Sequence, residues 1–188
     1  MQSFLLRTLD IVFSLTGIII SSPVMILIAM VGFLDNGSPI FFQQRVGRYR
    51  QAFTLMKFRT MAINTSSVGT HLVDIDSITK LGRFLRKTKL DELPQLFNVF
   101  AGHMSLVGPR PCLPNQIELV EERNKRGVYS VRPGITGLAQ VNEVDMSTPR
   151  KLARYDAIMI KQLTIRLYFE LILATGFGKG AGDRVKIV

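Results

Sequence analysis

The feature that most constrains this chain is an uncharged, apolar run near its N-terminus. The run extends from Ile11 to Leu34 and contains 24 residues. As a continuous helix it would be roughly 36 Å long, which exceeds the thickness of a bilayer's hydrocarbon core, about 30 Å. The run is too long for a signal peptide, and the turn sequence Asp35–Pro39 follows it where a cleavage site would be needed. We therefore expect an element that anchors the chain to a membrane.

Pro23 interrupts this run at its centre. Proline removes a backbone donor and clashes with the carbonyl four residues earlier, so it bends a helix. The hydroxyls of Ser21 and Ser22 can bond to the freed carbonyls. Two paths follow: a kinked single span, or a re-entrant hairpin that enters and leaves by the same membrane face. The residues alone favour the span.

Charge narrows the choice of partners. The chain has 24 Lys and Arg against 14 Asp and Glu, a formal net charge of +10. Such a chain attracts nucleic acid, anionic lipid headgroups or phosphorylated substrates. The basic segments lack the interleaved aromatic residues of a single-strand platform, so we predict no nucleic-acid partner. Five basic residues follow the apolar run, which places the remainder of the chain in the cytoplasm. They are Arg45, Arg48, Arg50, Lys57 and Arg59.

The rest of the chain predicts an α+β fold that is mainly helical. Two short strands, Ile40–Arg45 and Ala52–Lys57, flank a turn and form a hairpin. Residues 62–76 are polar and irregular, which predicts a loop. Apolar periodicity predicts amphipathic helices, and these cover Ser77–Lys87, Asp91 to about Gly102, Asn115–Lys125 and Lys151–Gln162. The apolar segment Ile165–Ala174 fits the membrane interface or the core equally well.

Asp91 and Glu92 are the first candidates for chemistry. Taken alone, an acidic pair at a helix start is usually a cap. Here the pair follows a dense basic run, Arg83–Lys89, and a helix N-terminus favours anions and lowers a carboxylate pKa. A carboxylate kept ionised in this way can act as a nucleophile or bind Mg²⁺.

Two rigid turns carry arginines that suit phosphate binding. Gly108–Pro111 presents Arg110 between two prolines, and Arg132 precedes a segment with Pro133 and two glycines. Lys57 ends the second predicted strand and could meet the same anion. Cys112 is interpreted as structural. The two histidines, His71 and His103, lack metal-ligand spacing and are interpreted as non-catalytic.

In their order and spacing, seven segments resemble the monotopic phosphoglycosyl transferases, also called bacterial sugar transferases. The resemblance covers nearly the whole chain, from Arg7 to about Leu171. The segments are Arg7–Ile11, Ser22–Pro23, Phe41–Gly47, Lys57–Met61, Leu90–Val99, Met104–Pro111 and Val131–Asn142. Each segment is modest evidence alone, whereas the joint pattern is specific. The chain resembles the minimal form of the family.

The resemblance implies a membrane topology. In this family the N-terminal helix is re-entrant and broken at a Ser-Pro pair, which Ser22 and Pro23 match. This reverses the preference for a span. Residues 1–36 would then be a re-entrant anchoring element of helix, break and helix. Residues 37–188 would form a catalytic domain with interfacial helices, on the cytoplasmic face of the bacterial inner membrane.

The resemblance also implies a reaction. Asp91 and Glu92 match the catalytic dyad, and Asp91 would attack the β-phosphate of a UDP-sugar, releasing UMP and forming a covalent phosphosugar. A polyprenyl (undecaprenyl) phosphate would then take the sugar phosphate. This is the first membrane step in making O-antigen, capsule, exopolysaccharide or glycoprotein glycan. Mg²⁺ would bind near Asp91, and Arg86 and Arg110, with Lys57 as a weaker match, would lie at the phosphate site.

One segment departs from the family pattern. Many members continue Gln-Val-Asn with Gly-Arg, whereas this chain continues with Glu143, Val144 and Asp145. Contacts with nucleotide or sugar at these positions are therefore in doubt. The role of Glu92, as a base or as a support for the nucleophile, stays open. Two other hypotheses stay open: a tethered module that binds nucleic acid or anionic lipid, which would also explain the charge, and a scaffold for envelope assembly.

Overall fold

The computed structural model describes residues 4–63 and 77–180. The apolar run lies in one helix, α1, which covers Phe4–Asn36 and has Pro23 inside it. Among the described residues, this is the one helix long and apolar enough to cross a membrane, judged by length and composition. At 33 residues it would measure roughly 50 Å if straight.

The expected break at Ser22-Pro23 takes the form of a proline inside a continuous helix, not of two separate half-helices. The serines explain this continuity. Pro23 cannot donate to the Ile19 carbonyl, and the Ser22 hydroxyl donates to it instead, at 2.8 Å. The Ser21 hydroxyl donates to the Gly17 carbonyl at 2.6 Å. The re-entrant path itself stays a prediction.

The predicted hairpin is confirmed. Strands β1 (Ile40–Val46) and β2 (Ala52–Phe58) pair antiparallel, with Ile40 opposite Phe58 and Val46 opposite Ala52. A short 3₁₀ turn, Arg48–Arg50, connects them. Most of the loop predicted for residues 62–76, with His71, lies outside the described residues.

The predicted helices are present with small shifts at their ends. A 3₁₀ turn, Leu90–Glu92, precedes α3, so Asp91 and Glu92 lie before the helix that they were expected to begin. The helices that follow α1 are α2 (Lys80–Thr88), α3 (Gln95–Phe100), α4 (Ile117–Lys125), α5 (Leu138–Val141), α6 (Pro149–Gln162) and α7 (Ile165–Gly176).

A parallel strand pair joins the two glycine- and proline-rich segments, and the sequence did not predict it. Strands β3 (Ser105–Val107) and β4 (Gly134–Thr136) are three residues each. Their backbones come so close that a Cβ atom on Gly134 would lie 2.0 Å from the Gly108 nitrogen. The glycines are therefore needed where the two turns meet.

Helix α1 packs against the rest of the chain along most of its length. Near its start, the Arg7 guanidinium donates to the carbonyls of Val99 and Phe100 at the end of α3. Further along, Met25 and Ile28 share a buried cluster with side chains of β2 and α2. Its other face carries large exposed apolar side chains, which include Val12, Phe13, Ile19, Ile20, Ile26, Leu27, Met30, Phe33 and Leu34.

Helix α7 covers the segment Ile165–Ala174, for which the core and the membrane interface were both left open. Tyr168 and Leu171 are buried, whereas Ile165 and Leu173 on other faces are exposed. The Tyr168 hydroxyl donates to Asp10 on α1 at 2.9 Å. The helix thus contributes one face to the core and leaves another uncovered.

Candidate active site

Asp91 and Glu92 lie in the 3₁₀ turn between α2 and α3. Lys89, with a φ of 59°, ends α2 in the left-handed conformation and reverses the chain into this turn. Asp91 is buried, with 8% of its surface exposed. The next peptide is held in place because the Glu92 amide donates to the Lys89 carbonyl. The sharp reversal therefore directs an acidic pair into the molecule instead of into solvent.

Arg110 reaches the acidic pair from the segment after β3. Its Nη2 atom donates to Glu92 Oε1 at 2.8 Å, and both side chains are largely shielded from solvent. Arg110, which was expected at the phosphate site, thus lies beside the acidic pair. A charge-assisted bond of this kind orients both groups.

Arg86 lies on α2, one turn before the acidic pair. Its Nε atom donates to the Thr60 hydroxyl at 2.9 Å. Its Nη1 atom is buried and has no hydrogen-bond partner among the described residues. A buried guanidinium nitrogen without an acceptor is costly, and an anion that entered the site would supply the acceptor.

Lys57, on β2, completes a group of three cations around Asp91. Its ammonium lies 5.5 Å from the centre of the Phe41 ring, directly across the hairpin. Its charge lowers the pKa of Asp91, as do the charges of Arg86 and Arg110. Three cations and two carboxylates leave the site with a net positive charge, which suits an anionic substrate.

The pKa of Asp91 corrects the expectation that a helix start would lower it. Burial, and then the neighbouring charge of Glu92, raise this pKa from 3.8 to about 6, against the lowering effect of the three cations. Burial dominates because the carboxylate loses hydration when it is enclosed. Asp91 is still mostly ionised at neutral pH, but it is less well stabilised than a solvated carboxylate.

Arg132 lies elsewhere. Its Nε atom donates to the Gly102 carbonyl at 2.7 Å, near the end of α3. The nearby charges of Arg7 and Arg48 contribute, after burial, to lowering its pKa. The parallel register explains the separation: Arg132 precedes β4 and Arg110 follows β3, so they lie at opposite ends of the strand pair. The structure therefore does not bring Arg132 to the dyad.

The acidic pair offers two carboxylates to a metal ion. No group of three or more His, Cys, Asp or Glu side chains suited to a metal occurs within residues 4–63 and 77–180. Mg²⁺ is commonly held by one or two carboxylates together with substrate phosphates and water. The residues present thus fit Mg²⁺ when a substrate supplies phosphate oxygens. A bound cation would stabilise the ionised form of Asp91, which burial and the charge of Glu92 disfavour.

Some contacts that shape the site were not predicted. Thr60 was recognised only as part of a motif, yet it orients Arg86. Arg123 and Asp156, fully buried on α4 and α6, contact each other, and Arg123 also donates to the backbone carbonyl of Arg110. A signal existed, because each charged residue falls four positions after a core leucine, Leu119 or Leu152, on an apolar helix face.

Three other residues considered in the sequence, Cys112, His103 and Val144, pack against neighbouring side chains. Cys112 is fully buried, and its sulfur lies 3.6 Å from the Tyr129 hydroxyl, which agrees with a structural role. His103 stacks on Phe53. Val144, in the segment that departs from the expected pattern, is a core residue.

A family model described as bacterial sugar transferase matches residues 1–179. The chain belongs to the bacterial sugar transferase family. This membership confirms the resemblance drawn from the motifs.

Individual relatives carry more specific names. The chain is 40% identical over 182 residues to an undecaprenyl-phosphate galactose phosphotransferase of Salmonella typhimurium, covering 86% of this chain and 37% of the relative. It is 37% identical over 183 residues to a UDP-glucose:undecaprenyl-phosphate glucose-1-phosphate transferase of Klebsiella pneumoniae. That match covers 91% of this chain and 39% of the relative. The exopolysaccharide production protein PSS of Rhizobium leguminosarum is 38% identical over 162 residues, covering 80% of each chain.

The chain therefore spans well under two thirds of the length of the galactose and glucose transferases. The part shared with them contains the acidic pair and its three cations. A buried carboxylate beside several phosphate-binding cations can form a bond to phosphorus, and this capacity is the basis of the function proposed below.

Proposed function

We propose that this chain transfers a sugar 1-phosphate from a UDP-sugar to a polyprenyl phosphate, through a covalent intermediate on Asp91. The observation that carries the proposal is the buried carboxylate of Asp91 among Lys57, Arg86 and Arg110. The names of the relatives support it, since they act on UDP-glucose or on undecaprenyl phosphate. The product would begin a lipid-linked glycan, as in capsule or exopolysaccharide synthesis.

In the first half-reaction, an Asp91 carboxylate oxygen attacks the β-phosphorus of the UDP-sugar. The bond from this phosphorus to the oxygen that bridges the two phosphates breaks, and UMP leaves with the electron pair. The three cations favour this step because they lie where negative charge accumulates on the phosphates. Arg86 has a further reason to contact the substrate, since its buried Nη1 atom needs an acceptor.

In the second half-reaction, a phosphate oxygen of the polyprenyl phosphate attacks the same phosphorus. The bond between this phosphorus and Asp91 breaks, which regenerates the carboxylate and gives a polyprenyl diphosphate sugar. Dividing the transfer in this way lets two bulky anionic substrates use one site in turn.

Glu92 and Mg²⁺ would both assist Asp91. Glu92 accepts the hydrogen bond from Arg110, which favours a role in supporting the nucleophile. Asp91, together with substrate phosphates, would hold Mg²⁺, and the metal would offset phosphate charge when bound.

The packing of α1 supports a location at the cytoplasmic face of the inner membrane. One end of this helix contacts α3 through Arg7, and near its other end Gly32 lies against Pro39 and Leu81. Both ends are therefore held by the same domain, as a re-entrant helix requires. Soluble UDP-sugar and lipid phosphate could both reach a site held at the headgroup plane.

The test is to mix the purified chain, in detergent or nanodiscs, with a panel of UDP-sugars and polyprenyl phosphate. We expect UMP release with at least one sugar, and an intact-mass increase equal to one sugar phosphate when the lipid is omitted. Asp91→Asn should abolish both signals, and Glu92→Gln should reduce them severely. The matched control is Glu121→Gln, an exposed carboxylate on α4. A mass adduct that persists in Asp91→Asn would refute the assigned nucleophile.

A further inference from the structure

A fully buried ion pair lies behind Arg110, away from the acidic pair. Arg123 on α4 and Asp156 on α6 are each 1% exposed. Arg123 Nε donates to Asp156 Oδ2 at 2.9 Å, and Arg123 Nη2 lies 2.8 Å from the same oxygen. The pair thus joins two helices inside the domain.

Stability alone is a weak reason to bury such a pair. Removing two charges from water is expensive, and well-packed apolar side chains of similar volume often do as well or better in the same place. The exposed pair Arg150–Glu118 joins the same two helices at 3.5 Å without that cost. A distinct use for the buried pair is found in the third contact that Arg123 makes.

That contact is with the backbone of a site residue. Arg123 Nη1 donates to the carbonyl of Arg110 at 2.8 Å. The planar guanidinium faces Asp156 with Nε and Nη2, and it donates to the Arg110 carbonyl with Nη1. A lysine ammonium on a flexible stem could not make both contacts in this fixed geometry. Asp156 fixes the guanidinium, and the guanidinium in turn fixes the peptide of Arg110.

The neighbouring peptides are held in the same way. The Pro109 carbonyl accepts from the Gly134 amide at 2.9 Å, and the Pro111 carbonyl accepts from Arg45 at 3.1 Å. Each of three successive carbonyls therefore has its own donor, and two prolines restrict the backbone between them. From this fixed segment the Arg110 side chain extends to Glu92.

We propose that Arg123 and Asp156 are positioning residues, which hold the Arg110 backbone so that its guanidinium meets Glu92 beside Asp91. The proposal rests on the proposed function. Neither residue touches substrate, and each acts only through Arg110. Displacing a catalytic contact by about 1 Å can cost on the order of 100-fold in rate, so a loosened Arg110 should slow transfer even in a folded protein.

The test replaces the pair without leaving a lone buried charge. In Arg123→Met with Asp156→Leu, apolar groups fill the space, and we expect a thermal midpoint close to that of the wild type. The first-order rate of adduct formation at saturating UDP-sugar should fall roughly 10- to 100-fold. Arg123→Lys, which keeps the charge next to Asp156, should also be slow. The control is Arg150→Gln with Glu118→Gln, which should keep the wild-type rate.

Coupling to Arg110 separates positioning from general destabilisation. In an Arg110→Met background, adding the Met/Leu double replacement should change the residual rate by less than about twofold, because both changes act on one contact. Rotation of the Arg110 guanidinium, followed by ¹⁵N NMR without turnover, should speed up in both pair variants. Full additivity of rates, or unchanged rotation, would overturn the inference.

The two proposals can fail independently. If the wild type releases no UMP from any UDP-sugar, the proposed function fails, and the NMR rotation still decides whether the pair holds Arg110. If the wild type is active but the folded pair variants match its rate and its rotation, the function stands and the positioning role is refuted.

Discussion

Asp91 combines burial, which disfavours its charge, with three nearby cations, which favour it. Burial and Glu92 dominate, because the pKa of Asp91 is raised to about 6. A carboxylate in this condition is more reactive toward phosphorus than a well-hydrated one. It also costs stability, since the folded chain binds its proton more tightly than the unfolded chain does.

The stability effect of Asp91→Asn should therefore depend on pH. Below about pH 4, Asp91 is protonated in both states, and the variant should differ little from the wild type. Between about pH 4 and pH 6 the folded wild type must give up a proton that it holds tightly, so it loses stability as pH rises. Asparagine does not titrate, and the gain of the variant should approach about 3 kcal/mol above pH 7.

Thermal unfolding of both proteins at pH 3.5 and at pH 8 measures this difference. We expect the variant to unfold at a clearly higher temperature at pH 8 and at nearly the same temperature as the wild type at the acidic pH. An equal difference at the two pH values would mean that Asp91 is not the titrating group.

At the same scale, the residues of the proposed active site were easier to predict than the residues that hold them in place. Asp91 and Arg110 belong to recognisable motifs, and Arg86 matches a basic position of the family, so the resemblance predicts a shared site. Arg123 and Asp156 are 33 positions apart, and they meet only because α4 packs on α6. Arg132 was grouped with Arg110 but lies at the other end of the strand pair, because a composition of glycine, proline and arginine does not reveal which end a residue occupies.

At the scale of elements, α2 sits directly on the backbone of Thr60. A Cβ atom on Gly82 would lie 2.0 Å from the Thr60 carbonyl oxygen. The Thr60 carbonyl accepts a hydrogen bond from the Thr79 amide, and the Thr60 hydroxyl accepts one from Arg86. The close approach of α2 therefore sets the position of Arg86, an arginine of the proposed phosphate site.

Gly82→Ala should move α2 away from Thr60. We expect a loss of about 1–3 kcal/mol in unfolding free energy, as for other overpacked sites. The rate of adduct formation per folded protein should also fall, because Arg86 moves with the helix. Gly176→Ala is the matched control, since no atom lies within 4 Å of the added methyl group. Wild-type kinetics in folded Gly82→Ala would disprove the coupling between this contact and Arg86.

Element prediction succeeded where the determining interactions are local. The hairpin and the helices follow from alternation and helical periodicity over neighbouring residues. Strands β3 and β4 were not predicted. A strand of three residues shows almost no periodicity, and the pairing joins segments 29 positions apart in the sequence. Helix α1 was expected to break at Pro23 but continues through it. The Ser22 hydroxyl donates to the Ile19 carbonyl, which proline has no amide hydrogen to reach.

At the scale of the whole molecule, the packing of α1 limits how the protein can sit in a membrane. Asp10 accepts hydrogen bonds from Ser105, the Leu106 amide and Tyr168, which belong to β3 and α7. A helix crossing the bilayer away from a cytoplasmic domain would carry Asp10 to the far side, apart from these partners. These contacts agree with the proposed re-entrant path, in which both ends of α1 stay at the face where the domain lies.

Cysteine labelling can test this arrangement, because the chain has a single cysteine, Cys112, which is fully buried. Leu5 and Leu34, near the two ends of α1, are 49% and 85% exposed. We expect Leu5→Cys and Leu34→Cys to react with a membrane-impermeant maleimide in inverted inner-membrane vesicles and not in intact spheroplasts. Ile20→Cys, exposed at 73% near the middle of the helix, should be protected in both preparations and become reactive in detergent.

The labelling pattern distinguishes the possible topologies. A single span predicts that Leu5→Cys reacts in spheroplasts and Leu34→Cys in inverted vesicles, so modification of the two ends from opposite faces would exclude the re-entrant path. Reaction of all three positions in inverted vesicles would mean that α1 lies on the surface and does not enter the hydrocarbon. Protection of Ile20→Cys with both ends accessible from one face therefore requires a helix that enters the membrane and returns, and the bend would fall at Pro23, where the helical backbone lacks a donor.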